Sequence, residues 1–285
     1  MYVVMGASGN VGGAALQTLQ GGGHPVRALC RRPPQAEAGQ GVDWLAVDAL
    51  DAASLTQAFR GARCAFVMNP VGPDADNVFE QAARLSDSVA TALREAGVPH
   101  GVVLSSQGAH LAEGTGVITA LHRFETALQQ AGCPLTILRA AYFMESWQPM
   151  AMIARDSGAM PALLSPTDRP ILTVSSGDVG RLAAGIMVNP QPGVINVVGP
   201  RRYSEADAAS VLTDLLGREI ALAEIPGPEV AAFHRAAGLG ASFSDAIAQM
   251  YAAINSGDVP FEDTPETRWS EQPTRLDSVL ASLPS

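Results

Sequence analysis

Lysine is missing altogether: all 18 basic residues of the 285-residue chain are arginine. That absence excludes lysine Schiff-base chemistry, the phosphate-gripping lysine of P-loops, and the Tyr-x-x-x-Lys pair of ordinary short-chain dehydrogenases. Positive charge is scarce too. Against 28 acidic residues the 18 arginines leave a net charge of −10 and a pI near 4.9, which argues against nucleic acid or an anionic membrane as main partner. A DNA-binding regulator of this composition would have to act through another protein. Cysteine is limited to Cys30, Cys64 and Cys133, odd in number and without a C-x-x-C pair. Small buried thiols in a reducing compartment fit better than disulfides or zinc. His24, His100, His110 and His234 are scattered without ligand spacing, so no metal is expected. There is no basic and apolar leader pattern, since Met1 runs straight into a strand, and no apolar run of about 18 residues. A soluble, cytoplasmic chain is expected.

Apolar residues are plentiful at 47%, enough for one large domain or two closely joined ones. The organising stretch is Tyr2-Val3-Val4-Met5 followed by Gly6-Ala7-Ser8-Gly9-Asn10-Val11-Gly12 and an Ala/Leu-rich segment. It reads as a buried strand, a glycine turn and the first turn of a helix. Gly6 ends the strand at a sharp bend, Gly9 leaves room for a diphosphate to approach the backbone, and Gly12 lets helix and strand pack closely. The helix aims its unpaired N–H groups at the phosphates. The spacing is G-x-x-G-x-x-G rather than G-x-G-x-x-G. The strand before it and the helix after it favour dinucleotide binding over a structural turn.

Further along, Gly21-Gly22-Gly23 supplies a C-cap and Pro25–Cys30 a second strand. Arg31-Arg32-Pro33 closes it, about twenty residues past the glycine turn, where NAD sites carry an acid and NADP sites an arginine. Two arginines and no acid favour NADP over a merely solvated turn, with Arg31 first after the strand. Residues 42–47 form a third strand ending at Asp48, which either accepts from an adenine amino group or is a solvated strand-end acid. Asp51 caps a helix through Phe59. Residues 64–68 make strand four, ending in Asn69-Pro70 beside the nicotinamide half of the cofactor. A helix over 76–96, strand five at 101–104, a helix over 117–131 and strand six at 134–139 complete a doubly wound parallel sheet of the Rossmann type. The expected division is a nucleotide-binding domain at 1–155, to which 170–200 returns, and a smaller α/β substrate lobe at 156–285. Helices are expected at 176–189 and 204–217, a strand at 194–198, and two or three helices in 228–285.

The stretch His122-Arg123-Phe124-Glu125, then Gly132-Cys133-Pro134-Leu135-Thr136-Ile137-Leu138-Arg139, then Tyr142-Phe143-Met144-Glu145 resembles the NmrA-like atypical short-chain dehydrogenase/reductases. The glycine turn, Val26–Arg31, Ala96-Gly97-Val98, Val103–Ser106, Ser175-Gly177-Asp178-Val179, Gly199-Pro200 and Thr274-Arg275-Leu276 continue the similarity nearly end to end. The chain departs from the family pattern at Ala140-Ala141, where Pro-Gly is common, and at Ser146, where Asn is commoner. The resemblance implies either NAD(P)H-dependent reductases, quinone and azo reductases among them, or silent NADP-sensing proteins that bind a regulator.

Hydride transfer requires that cofactor and acceptor be oriented and that the charge appearing on the acceptor be stabilised. Without Tyr-x-x-x-Lys, a quinone or azo acceptor is favoured, because its reduced anion is already delocalised. The candidate catalytic residues are His122, Tyr142 and Gln107. His122 either faces the acceptor or bonds its helix to the turn after strand five. Tyr142 either contacts cofactor or acceptor, or packs in the core with Phe143. Glu125 reads as a helix-to-backbone anchor. The candidate cofactor residues are Gly6, Ser8, Gly9, Asn10, Val11, Gly12, Arg31, Arg32, Asp48, Asn69, Pro70, Ala140, Tyr142 and Phe143. The expectation is an NADPH-dependent oxidoreductase, monomeric or homodimeric, acting on a quinone-like or azo acceptor. The alternative is a non-catalytic NADP(H)-sensing regulator working through a protein partner.

Overall fold

The computed structural model describes residues 1–33, 41–70 and 72–282. The first part of the chain alternates strand and helix: β1 (Tyr2–Met5), α1 (Asn10–Gly21), β2 (Val26–Cys30), β3 (Val42–Ala46), α2 (Ala52–Phe59), β4 (Cys64–Val67), α3 (Val78–Glu95), β5 (Gly101–Ser106), α4 (Ile118–Gln129) and β6 (Leu135–Ala140). Local chemistry sets several boundaries. Asp51 Oδ1 accepts from the N–H groups of Ala53 and Ser54 at 3.0 and 3.3 Å to start α2, and Asn77 Oδ1 does the same for α3 from Phe79 and Glu80. Each such cap stabilises its helix by about 1 kcal/mol.

The second part is more broken: β7 (Tyr142–Phe143), a 3-10 turn at Met144–Trp147, α5 (Gln148–Ser157), β8 (Ala159–Ala162), β9 (Ile171–Val174), α6 (Ser176–Val188), β10 (Gly193–Val198), β11 (Arg202–Tyr203), α7 (Glu205–Leu216), β12 (Ala221–Glu224), α8 (Val230–Ala236), α9 (Ala241–Ser256), β13 (Arg268–Glu271) and α10 (Leu276–Leu280). A reciprocal Ser204–Asp207 capping box opens α7.

Eight strands form one parallel sheet in the order β13-β10-β6-β5-β4-β1-β2-β3. The chain winds outward in both directions from β1 and β4, so the strand order reverses between them. Every residue of β1 and β4 is buried, as strands covered on both faces must be. Alternation sorts their side chains. Tyr2 and Val4 pack with Leu16, Leu19, Ala183 and Met187 under α1 and α6, while Val3 and Met5 pack with Phe59, Val89, Phe124 and Leu128 under α2, α3 and α4. Gly180 decides how closely α6 approaches α1, because a Cβ there would run into the carbonyl oxygen of Val11.

The helices α8, α9 and α10 occupy the tail as the periodicity predicts, but β13 also lies there and pairs with β10 from Ile195↔Arg268 to Val198↔Glu271. Its Arg-Trp-Ser-Glu sequence carries no apolar run, because it is a half-exposed edge strand. The short sheets β11-β9-β7 and β12-β8 surround a third core of Met144, Trp147, Met160, Leu163, Tyr203 and Leu212. No helix among the described residues is long and apolar enough to cross a membrane.

Candidate active site

Two cavities open along the carboxyl edge of the parallel sheet. The first, about 320 Å³, is lined from β1 by Gly6, Ser8 and Gly9, from β2 by Cys30 and Arg31, from β3 by Asp48 and Leu50, and from β4 by Met68 and Pro70. It thus straddles the strand-order reversal, where α/β sheets receive nucleotides. Gly6 bends the chain at φ +68, a left-handed value that favours glycine. Gly9 N–H closes the turn on Gly6 O at 2.9 Å. Gly9 itself is extended, and a Cβ there would meet only Gly6 O, at 3.4 Å, leaving the space above it empty. A Cβ at Gly12, by contrast, would collide with the Gly6 carbonyl.

These residues fit a dinucleotide. The floor at Gly9 admits a diphosphate, and α1, with no acidic residue in its first turn, points its positive end there. Arg31 is the cation on the wall. Arg32 is exposed and does not line the cavity. Asn10 begins α1, and Val11 is buried beneath it. Asp48 lines the cavity while its Oδ1 accepts from Leu50 N–H at 2.9 Å, so it also shapes the turn. Pro70 is a wall residue. Asn69 is buried and turned toward α3, its Nδ2 donating to Ala82 O and Ser86 Oγ.

The second cavity, about 510 Å³, continues along the same edge beyond β5. Ser106, Gln107, Tyr142, Ile171, Leu172, Arg202, Met250, Val259, Phe261 and Trp269 are among its walls. Gln107 lies just past β5, its N–H donating to Ala140 O at 2.8 Å and its Nε2 donating to Val259 O. Ala140 itself is buried at the end of β6, and Phe143 packs against the α1 side of the sheet. Tyr142 instead leans on Trp147, with ring centroids 5.5 Å apart, and its hydroxyl lies 3.1 Å from that of Tyr251. Burial pushes the pKa of both phenols up, that of Tyr251 to about 12, so both remain neutral hydrogen-bond donors at ordinary pH.

His122 is not among the residues lining either cavity. Its Nδ1 lies 3.0 Å from Ala109 O, so the ring donates there and ties α4 to the turn after β5. Glu125 anchors its helix through side chains rather than backbone. Its carboxylate accepts from Ser105 Oγ and from Nε and Nη2 of Arg139 at 3.0 and 2.6 Å. Arg139 also donates Nη1 to Glu262 at 2.6 Å, and Asn196 Nδ2 donates to Glu262 O at 2.9 Å. These contacts and the one from Gln107 hold the segment after α9, which carries Val259 and Phe261, against the sheet edge. Tyr251, Arg202, Val259 and Phe261 were not legible as site residues, since only the tertiary fold brings them there. Among the described residues no cluster of three metal-capable side chains occurs.

With this geometry the family assignment becomes direct, since residues 2–271 match the NmrA-like family throughout. The chain belongs to that family. Among NmrA-like and related proteins it is 24% identical over 256 residues to an NAD(P)H azoreductase of Xenophilus azovorans, covering 88% of this chain and 86% of the relative. A crystal structure of an NADPH-dependent quinone oxidoreductase from Escherichia coli complexed with NADPH superimposes with a TM-score of 0.80 at 22% identity, covering 99% of both chains. NmrA itself, a negative transcriptional regulator, gives a TM-score of 0.71 at 16% identity over 93% of this chain and 85% of that one. The two solved structures share the fold of this chain.

Proposed function

We propose that this protein is an NADPH-dependent oxidoreductase that delivers a hydride to a quinone-like or azo acceptor. The observation that carries the reading is the pair of neighbouring cavities on one sheet edge: a glycine-floored one with Arg31 on its wall, and an aromatic one holding Tyr142 and Gln107. The 24% identity to an NAD(P)H azoreductase, along 88% of this chain, supports it.

NADPH, when bound, supplies the hydride. The chain's residues bind, orient and polarise. Gly9 and the amino end of α1 take the diphosphate, Arg31 takes the 2′-phosphate, and Asp48 and Pro70 border the remainder. Tyr142 and Tyr251 are mutually hydrogen-bonded, and one bond uses one of their two protons. With Tyr251 donating to Tyr142, the Tyr142 proton points to the acceptor and meets the charge that develops there. Gln107 fixes the opposite wall through Val259. His122, donating to Ala109 O, steadies the turn that carries Gln107.

The deciding measurement is steady-state consumption of NADPH with a panel of quinones and azo dyes, run beside a binding titration. Turnover is expected, and Tyr142→Phe should lower it about 10- to 100-fold with little change in NADPH affinity. Tight binding without turnover across the panel would instead identify a sensor of NADP(H).

A further inference from the structure

Three arginines lie around the second cavity, and the structure gives them different work. Arg169 is committed: its guanidinium donates to the carbonyls of Asn255 and Ile254 at 2.6 and 2.8 Å, in the last turn of α9. Arg201 is committed as well, paired with Asp207 at 3.1 Å and lying 4.3 Å over the ring of Tyr203. Arg202 lines the cavity and is exposed. Among the described residues no carboxylate pairs with it.

In a chain of net charge −10, a cation left unpaired at a binding cavity is an unused recognition group. Its backbone is held, since Arg202 pairs with Leu172 across the β9–β11 ladder. The same cavity contains an aromatic platform. Phe261 and Trp269 meet edge to face with centroids 5.1 Å apart. The Trp269 indole is 47% exposed and fastened by Nε1 donating to Asp263 Oδ1 at 3.0 Å. That bond also engages Asp263, the one acidic side chain on the cavity wall among the described residues. A fixed aromatic face and an unpaired guanidinium in one cavity match a planar ring that carries an anion.

We propose that the second cavity selects aromatic acceptors bearing an anionic substituent, a carboxylate or sulfonate, with Arg202 as the residue that recognises it. The acceptor role rests on the reductase reading above; the ligand class does not. The probes are naphthalene-2-sulfonate and its neutral sulfonamide, titrated by calorimetry into the protein with NADP+ present to occupy the first cavity. The sulfonate is expected to bind about two- to fivefold more tightly at low salt, the scale of an exposed charge pair. Arg202→Gln should abolish that preference, Arg202→Glu should reverse it, and Arg84→Gln, at an exposed arginine of α3 that lines neither cavity, should leave it in place.

Equal affinity for the two probes, failure of the sulfonate to bind, or a preference that survives Arg202→Gln overturns the assignment. The same variants should then be assayed with a quinone carboxylate and its methyl ester. The ratio of kcat/KM between the two acceptors, compared in wild type and Arg202→Gln, cancels their intrinsic reactivity and leaves the Arg202 effect. If the sulfonate binds through Arg202 but no acceptor supports NADPH consumption, the ligand class stands and the reductase reading falls.

Discussion

Gly9 and Gly12 sit in one turn, yet their missing side chains serve different neighbours. A Cβ on Gly12 would strike the Gly6 carbonyl, which belongs to backbone that cannot step aside, whereas a Cβ on Gly9 would only fill the cavity floor. Gly12→Ala should therefore destabilise the protein by about 1–3 kcal/mol, as overpacking does, visible as a lowered Tm. Gly9→Ala should cost at most about 1 kcal/mol, the ordinary penalty at an N-cap, and Gly9→Val should abolish NADPH binding in a folded protein. Normal NADPH affinity in folded Gly9→Val would remove the diphosphate from this turn. Arg31 is the second test at this scale. Losing one charge-assisted hydrogen bond costs about 1.5–3 kcal/mol, or roughly ten- to hundredfold in affinity. Titration of Arg31→Ala with both cofactors should show the NADPH preference shrinking while NADH affinity holds. These residues were readable in the sequence because each acts within its own few positions. Tyr142 was readable only as an alternative, since its partner Tyr251 lies far along the chain and no local pattern joins them.

The segment between α9 and β13 illustrates what local signals miss. It has no regular structure of its own, and it is held by Gln107 Nε2 on Val259 O, Asn196 Nδ2 on Glu262 O, and Arg139 on the Glu262 carboxylate. Arg139 is already satisfied on its other side by Glu125, with both side chains 6% or less exposed, so the guanidinium is a fixed post to which Glu262 ties the wall. Glu262→Gln should raise the acceptor KM several-fold and leave the NADPH Kd unchanged, measured by acceptor kinetics and a separate cofactor titration. An equal effect on both would mean that the tie supports the whole edge rather than this wall. Elements with strong caps, such as α2, α3 and α7, were predicted to within a residue or two. β7, β9, β11 and β13 were not, because strands of two to four residues carry too few apolar positions to declare a period.

At the scale of the whole molecule, Glu205 makes stability depend on pH. It is 2% exposed, and its Oε1 accepts from Leu163 and Leu164 N–H at 3.1 Å. Burial outweighs those two bonds and the smaller pull of the Trp147 indole N–H, and lifts its pKa from 4.5 to about 7. The folded protein therefore keeps a proton that the unfolded chain releases. The resulting stability is fully present below about pH 4.5 and is lost as the pH rises through about 7. A shift of that size corresponds to about 3 kcal/mol. Glu205→Gln should match wild type near pH 4.5 and exceed it in Tm at pH 8; parallel Tm profiles would discard the carboxyl as the source. The sheet order contains another consequence, in time rather than space. Ribosomal synthesis runs from the amino end, and the first cavity is lined entirely by residues between Met5 and Leu85. The second waits for Val259, Phe261 and Trp269, the last of them on β13. A growing chain thus carries every described residue that lines the first cavity long before Val259, Phe261 and Trp269 of the second have been made.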